Sequence, residues 1–219
     1  MRNCILMDLD GTLTDPGLGI TNSIQYALRY YDLPVPDRRE LYCCIGPPLI
    51  DSFQSLWGFS REKAEQALGI YRRYFATTGI FENEVYPGIP ALLQALTDAG
   101  CRLYLATSKP EVYAEKILEH FSLKPFFTDI CGNTLEEDRP SKEAVLRYLL
   151  DRHPEVTLQN AVMVGDRRYD ILGAHAIGLP CIAVGYGYGS IDELQSAGAD
   201  AIAPDIPALR RLLLEGKTL

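Results

Sequence analysis

Short apolar runs alternate with amphipathic stretches through most of this chain. The runs at 3–8, 101–107, 127–132, 161–165, 181–184 and, with a thinner pattern, 199–203 read as buried strands. Between them, apolar residues recur at helical spacing over 89–99, 111–121, 142–152 and 170–177. The clearest case is Glu143-Ala144-Val145-Leu146-Arg147-Tyr148-Leu149-Leu150, with Ser141 where an N-cap would stand. Parallel strands need long crossovers, so this alternation predicts an α/β fold around a parallel sheet.

One stretch departs from the alternation. From 16 to 84 no strand pattern is evident, and 20–31, 49–57 and 61–76 read as helices. In the last of these Ala64, Ala67, Leu68, Tyr71 and Phe75 share a face, and Ser60 can cap the start. Turn formers bound the stretch, Asp15-Pro16-Gly17 on one side and Tyr86-Pro87-Gly88 on the other. The expected organisation is a core made of 1–15 and 85–219, carrying a helical insertion at 16–84. Tyr30, Tyr31, Tyr71 and Tyr74 are expected to pack inside the insertion. Arg72 and Arg73 fit either a solvated helix face or recognition of an acidic group on a ligand.

Composition narrows the functional classes. The chain has 219 residues, 47% hydrophobic and 23% charged, enough to bury a core without covalent staples. A net charge of −8 argues against a general nucleic-acid or acidic-membrane surface, so any phosphate site must be locally positive or hold a metal. No apolar run nears the roughly 20 residues that span a bilayer, and Asp8 interrupts the apolar start too early for a signal-peptide core. Six cysteines occur without a C-x-x-C pair and with only three histidines, which disfavours zinc. Cys4, Cys101, Cys131 and Cys181 lie in or beside apolar runs and read as reduced, buried thiols; Cys43-Cys44 is a vicinal pair. Cysteine usage of this kind suggests a reducing, cytoplasmic compartment. Oligomeric state is left open by the sequence.

Four segments carry candidate chemistry. In Met7-Asp8-Leu9-Asp10-Gly11-Thr12 an apolar strand runs into two carboxylates and a glycine. Ligands of doubly wound sheets bind beyond the carboxyl ends of strands, so both acids would enter the site. If the strand unwinds after Asp8, the two acids can bracket a phosphoryl group, with Gly11 permitting the turn. Next, Leu103-Tyr104-Leu105-Ala106-Thr107-Ser108-Lys109-Pro110 brings the hydroxyls of Thr107 and Ser108 to a strand end that is expected to open a helix. Hydroxyls and helix-start N–H groups suit phosphate oxygens. The third segment, Arg139-Pro140-Ser141-Lys142, sets a cation in a first helical turn, against the macrodipole by about 0.3–1 kcal/mol unless an anion is near. In the fourth, Val162-Met163-Val164-Gly165-Asp166 ends another strand in an acid, with Asp170 one helical turn on. Carboxylates without histidine or thiol neighbours suit Mg2+ better than zinc. Taken singly, each segment also fits an ordinary turn or cap; together they place acids, hydroxyls and a lysine on one sheet edge.

These segments, in this order, resemble the haloacid dehalogenase-like (HAD) hydrolase superfamily over essentially the whole chain. Its most specific element is the D-x-D-G-T-L string at Asp8-Leu9-Asp10-Gly11-Thr12-Leu13. The resemblance implies a Rossmann-like core, a helical C1 cap at 16–84, and a phosphoglycolate-phosphatase-like or 5′-nucleotidase-like activity on a small-molecule phosphate ester. It further implies Asp8 as nucleophile, Asp10 as acid and then base, Thr107 with Ser108 on the phosphoryl oxygens, and Lys142 as the countercharge. Mg2+ would sit on Asp8, Asp166 and the Asp10 carbonyl, with Asp170 supporting that shell. Many relatives place Lys-Pro in the third segment; Arg139-Pro140 followed by Lys142 stands here, and Lys109 competes for the lysine role. Asp10 and Asp166 favour phosphate chemistry over metal-free dehalogenation. A sugar phosphomutase would keep every one of these residues, and a receiver-like phospho-acceptor module would share the acids, hydroxyl and lysine.

Overall fold

The computed structural model describes residues 2–215. Two compact units emerge, Met1–Thr14 with Val85–Leu219, and Asp15–Glu84. The first strand, β1 (Cys4–Met7), is buried on both faces, as its uninterrupted apolar run requires. The chain then leaves the first unit through a short strand, β2 (Thr14–Asp15), and enters the helical one.

That insertion holds α1 (Gly17–Tyr30), a 3-10 turn at Arg38–Cys44, α2 (Leu49–Trp57), α3 (Arg61–Tyr74) and a π-helical turn at Phe75–Gly79. Ser60 caps α3 by accepting from the Lys63 N–H, and Ala64, Ala67, Leu68 and Tyr71 form its buried face. Gly19 of α1 lies so close to the π turn that a Cβ there would stand 1.9 Å from the Gly79 carbonyl oxygen. Tyr71 stacks on Phe75, Tyr74 packs tilted against Tyr26, and Tyr31 meets Phe59 edge-on. Tyr30 instead is 61% exposed, so it does not pack in the interior as its neighbours do. The chain returns through β3 (Glu84–Val85), which pairs with β2.

The remaining residues alternate α4 (Ile89–Asp98), β4 (Arg102–Pro110), α5 (Glu111–His120), β5 (Phe127–Asn133), α6 (Lys142–Arg152), β6 (Ala161–Gly165), α7 (Arg168–Ala176), β7 (Cys181–Val184), α8 (Ile191–Ser196), β8 (Ala201–Ala203) and α9 (Ile206–Glu215). The sheet runs β5-β4-β1-β6-β7-β8, and every pairing in it is parallel. This is the α/β architecture expected. Two helices lie outside the expected set. α8 is too short to display a helical period, and α9 starts beside Pro204 and Pro207, which read locally as loop.

Register decides where the chemistry stands. Met7 of β1 faces Leu105 of β4 on one side and Val164 of β6 on the other. Asp8 and Asp166 therefore leave the sheet just beyond the ends of β1 and β6, beside Thr107 within β4, at the carboxyl edge of the three central strands. Beneath them Leu6, Ala106, Val145, Leu146, Leu149, Met163 and Ile171 form part of one buried cluster. Each such leucine contributes about 1.5–3 kcal/mol of burial, which fixes α6 against the sheet and with it the start of that helix.

No disulfide joins the cysteines; Cys4, Cys44, Cys131 and Cys181 are buried, Cys101 is half-buried and Cys43 exposed. Among the described residues no helix is long and apolar enough to cross a membrane.

Candidate active site

The strand ends at Met7, and 9–14 fold into tight turns in which the Leu13 N–H donates to the Leu9 carbonyl at 2.9 Å and the Gly11 N–H to the Thr14 carbonyl at 2.8 Å. Gly11 sits at φ 78°, where a side chain would be strained. The turn separates the two acids. Asp8 Oδ1 accepts from the Leu9 N–H at 2.8 Å and lies 3.0 Å from Lys142 Nζ. Asp10 Oδ2 lies 2.7 Å from Lys109 Nζ, and its Oδ1 is buried without a partner.

Two lysines thus serve two aspartates, where a single one was expected. Lys142 opens α6, which Ser141 caps through the Ala144 N–H. Its Nζ meets Asp8 Oδ1, Asp170 Oδ1 at 2.8 Å and the Ala106 carbonyl at 2.8 Å. Burial alone would push the Lys142 ammonium toward neutrality, but Asp170 and Asp8 more than offset it and raise its pKa. Burial raises Asp10, with Lys109 opposing.

Thr107 and Ser108 need a correction. β4 continues through Pro110 and α5 begins at Glu111, so neither residue stands at a helix start. The extension follows from Pro110, which holds the preceding residue in extended backbone. Thr107 is buried at the level of Asp8, and its Oγ1 accepts from the Lys109 N–H at 3.3 Å; Ser108 is half-buried.

Asp166 follows β6 directly, ahead of α7, and Asp170 lies in the first turn of that helix. Asp170 Oδ2 accepts from the Arg167 N–H at 3.1 Å, a helix-capping contact, while Oδ1 faces Lys142. Asp166 Oδ2 accepts from the Tyr188 N–H at 2.7 Å; its Oδ1 is buried with no partner. Burial, then repulsion from Asp170 and Asp8, raises Asp166 well above the usual carboxylate range. Ligand atoms of Asp8, Asp166 and Asp170 all lie within 4.8 Å of one another. With all three ionised, one ammonium would leave two negative charges uncompensated, the deficit a divalent cation would fill. The oxygen-only donor set and the orphaned Asp166 Oδ1 fit a hard ion such as Mg2+.

A second trio, Asp129, Cys131 and His153, lies elsewhere on the core. Its Asp129 Oδ2 is already engaged by Arg152 at 2.9 Å and His153 at 2.7 Å, and burial pushes the Cys131 thiol up to about 12. There Asp129 is already taken up by the Arg152 ion pair and the His153 hydrogen bond.

Residues at the site that the sequence did not single out belong to the turn after β7, Gly185-Tyr186-Gly187-Tyr188-Gly189. Glycine at alternate positions directly after a buried strand was the available signal for close backbone approach.

A profile described as haloacid dehalogenase-like hydrolase matches residues 5–184. The chain belongs to the haloacid dehalogenase-like hydrolase family. This HAD-like hydrolase is 46% identical to a 5′-nucleotidase of Pseudomonas aeruginosa, over 95% of this chain and 94% of that one. It is 37% identical to the tyrosine-protein kinase PtkA of Mycobacterium tuberculosis, over 95% of this chain and 72% of that protein. Among solved structures, a predicted phosphatase from Clostridium acetobutylicum superposes with a TM-score of 0.95 at 45% identity, covering 98% of this HAD-like hydrolase and 99% of that chain.

Proposed function

We propose that this hydrolase is a magnesium-dependent phosphatase that takes the phosphoryl group of a small phosphomonoester onto Asp8. The observation that carries the reading is the gathering of Asp8, Asp166 and Asp170 around the buried Lys142. A phosphate ester would be repelled by that centre unless a divalent cation balanced it. The side chains of Asp8 and Asp166 and the Asp10 carbonyl would hold Mg2+, which supplies a Lewis-acid contact to a phosphoryl oxygen.

The remaining chemistry belongs to the protein. Lys142 orients Asp8 through the contact to Oδ1, so the other carboxylate oxygen is available to attack phosphorus. As the P–O bond to the leaving group breaks, Asp10 protonates the departing oxygen, and the phosphoryl group is left on Asp8. Asp10, now a carboxylate, takes a proton from the water that attacks the aspartyl-phosphate and releases phosphate. Burial favours the protonated form of Asp10 that the first step uses, and Lys109 stabilises its anion for the second. Thr107 and Ser108 contact the phosphoryl oxygens, and Asp170 acts through Lys142. The helical insertion at 16–84 would supply the residues that select the ester.

Resemblance to a 5′-nucleotidase and to a phosphoglycolate phosphatase of Rhodospirillum rubrum (33% identical) supports a small, soluble phosphate ester. Nucleoside 5′-monophosphates are the first class to test. With radiolabelled substrate and Mg2+, acid quenching should trap label on the peptide containing Asp8, and label should appear as free phosphate. Turnover that persists in Asp8→Asn would refute the covalent route. Label returned to a second sugar-phosphate molecule would mark a mutase, label retained on the chain without release an acceptor module, and label moved to protein tyrosine a kinase.

A further inference from the structure

The Asp166 carboxylate lies between two glycine backbones. A Cβ on Gly11 would stand 2.1 Å from Asp166 Oδ2, and one on Gly187 would stand 2.4 Å from Asp166 Cβ and 2.3 Å from the Gly11 carbonyl oxygen. A Cβ on Gly189 would fall 2.1 Å from the Asp166 carbonyl oxygen. Gly187 and Gly189 are not among the positive-φ glycines, so space rather than backbone conformation excludes a side chain there. The same turn is tied to the nucleophile loop by Tyr186, whose hydroxyl donates to the Thr12 carbonyl at 3.0 Å and whose ring meets Tyr86 edge-on at 5.1 Å. Between these anchors the Tyr188 N–H holds Asp166 Oδ2 at 2.7 Å and leaves Oδ1 alone without a partner.

We infer that the 185–189 turn is a clamp that presents a single oxygen of Asp166 to the metal and thereby selects Mg2+ over Ca2+. This rests on the metal-site reading above. Mg2+ takes one oxygen from each carboxylate in a tight octahedron, whereas Ca2+ prefers six to eight oxygens and readily uses both oxygens of one carboxylate. With Oδ2 bonded to the Tyr188 N–H and the Gly11 and Gly187 backbones packed against the side chain, Asp166 cannot swing into two-oxygen binding. Gly187 and the Tyr188 N–H are therefore positioning elements, acting through Asp166.

The test is calorimetric titration of the chelator-treated full chain with MgCl2 and with CaCl2, for wild type, Gly187→Ala, Tyr186→Phe and Asp166→Asn. Gly187→Ala should weaken Mg2+ by at least about tenfold, the scale of lost outer-shell support, while Ca2+ holds or tightens. Tyr186→Phe, which keeps the ring and the fold and loses one hydrogen bond, should move the same ratio in the same direction by less. Equal loss for both ions, or an unchanged ratio in a folded Gly187→Ala and in Tyr186→Phe, overturns the clamp. If Asp166→Asn binds Mg2+ as tightly as wild type, the metal-site reading itself fails.

Discussion

Lys142 Nζ lies 3.0 Å from Asp8 Oδ1, joining the start of α6 to the end of β1 across more than half the chain. The ammonium is almost wholly buried and also holds Asp170 at 2.8 Å, so it pairs with both acids. Removing it strands two buried carboxylates. We expect Lys142→Met to lose about 3–5 kcal/mol of stability, the usual cost of breaking a buried pair, and to lose phosphate release. Chemical denaturation and a phosphate assay check the two effects separately.

Lys109 reaches the other acid, and its removal should read differently. Its charge opposes the burial that raises Asp10, so Lys109→Met should raise Asp10 further. In the proposed mechanism, the step that forms an aspartyl-phosphate needs Asp10 protonated. The alkaline limb of kcat/KM should therefore move to higher pH in Lys109→Met. An unmoved limb would remove Asp10 from the role of proton donor.

Metal should change the sign of one stability term. Asp166 has its folded-state pKa raised by burial and by Asp170 and Asp8. Without cation that contribution is present below the unfolded carboxylate pKa of about 4 and is lost as pH rises toward neutrality. In EDTA at neutral pH, Asp166→Asn should melt a few degrees above wild type, since about 1 kcal/mol corresponds to roughly 2–4 °C at this size. Added Mg2+ should reverse the order by stabilising only the wild type.

On the opposite account stands Asp129. Burial would raise it, but the His153 hydrogen bond, the Ile130 N–H and Arg152 together lower it. A lowered carboxylate contributes stability above the unfolded pKa of about 4 and loses it as pH falls through the folded value. Acid unfolding followed by circular dichroism should show wild type losing stability below about pH 4 more steeply than Asp129→Asn.

The acids of the candidate site were legible because strand ends announce themselves. Asp8 and Asp166 each follow an apolar run that can only be a buried strand, and Lys142 occupies a helix start where a cation is locally unfavourable. Thr107 was legible as a strand-end hydroxyl. Its neighbourhood was not, because the strand continues three residues further to Pro110 before α5 begins. The second lysine-aspartate pair was equally hidden, since Lys109 and Asp10 are brought together by β1 and β4 lying side by side.

Local periodicity and turn chemistry depend on neighbours within a few residues, so the sequence by itself determined the alternation of strands and helices, the helical insertion and the acids at the strand ends. Pairing depends on sheet order and register, which connect residues a hundred positions apart, and only the tertiary structure decided it. Register set Asp8, Thr107 and Asp166 level, gave Lys142 to Asp8 and Lys109 to Asp10, and folded the 185–189 turn onto Asp166. The charges that meet at this edge are fixed by composition; their partners are fixed by packing.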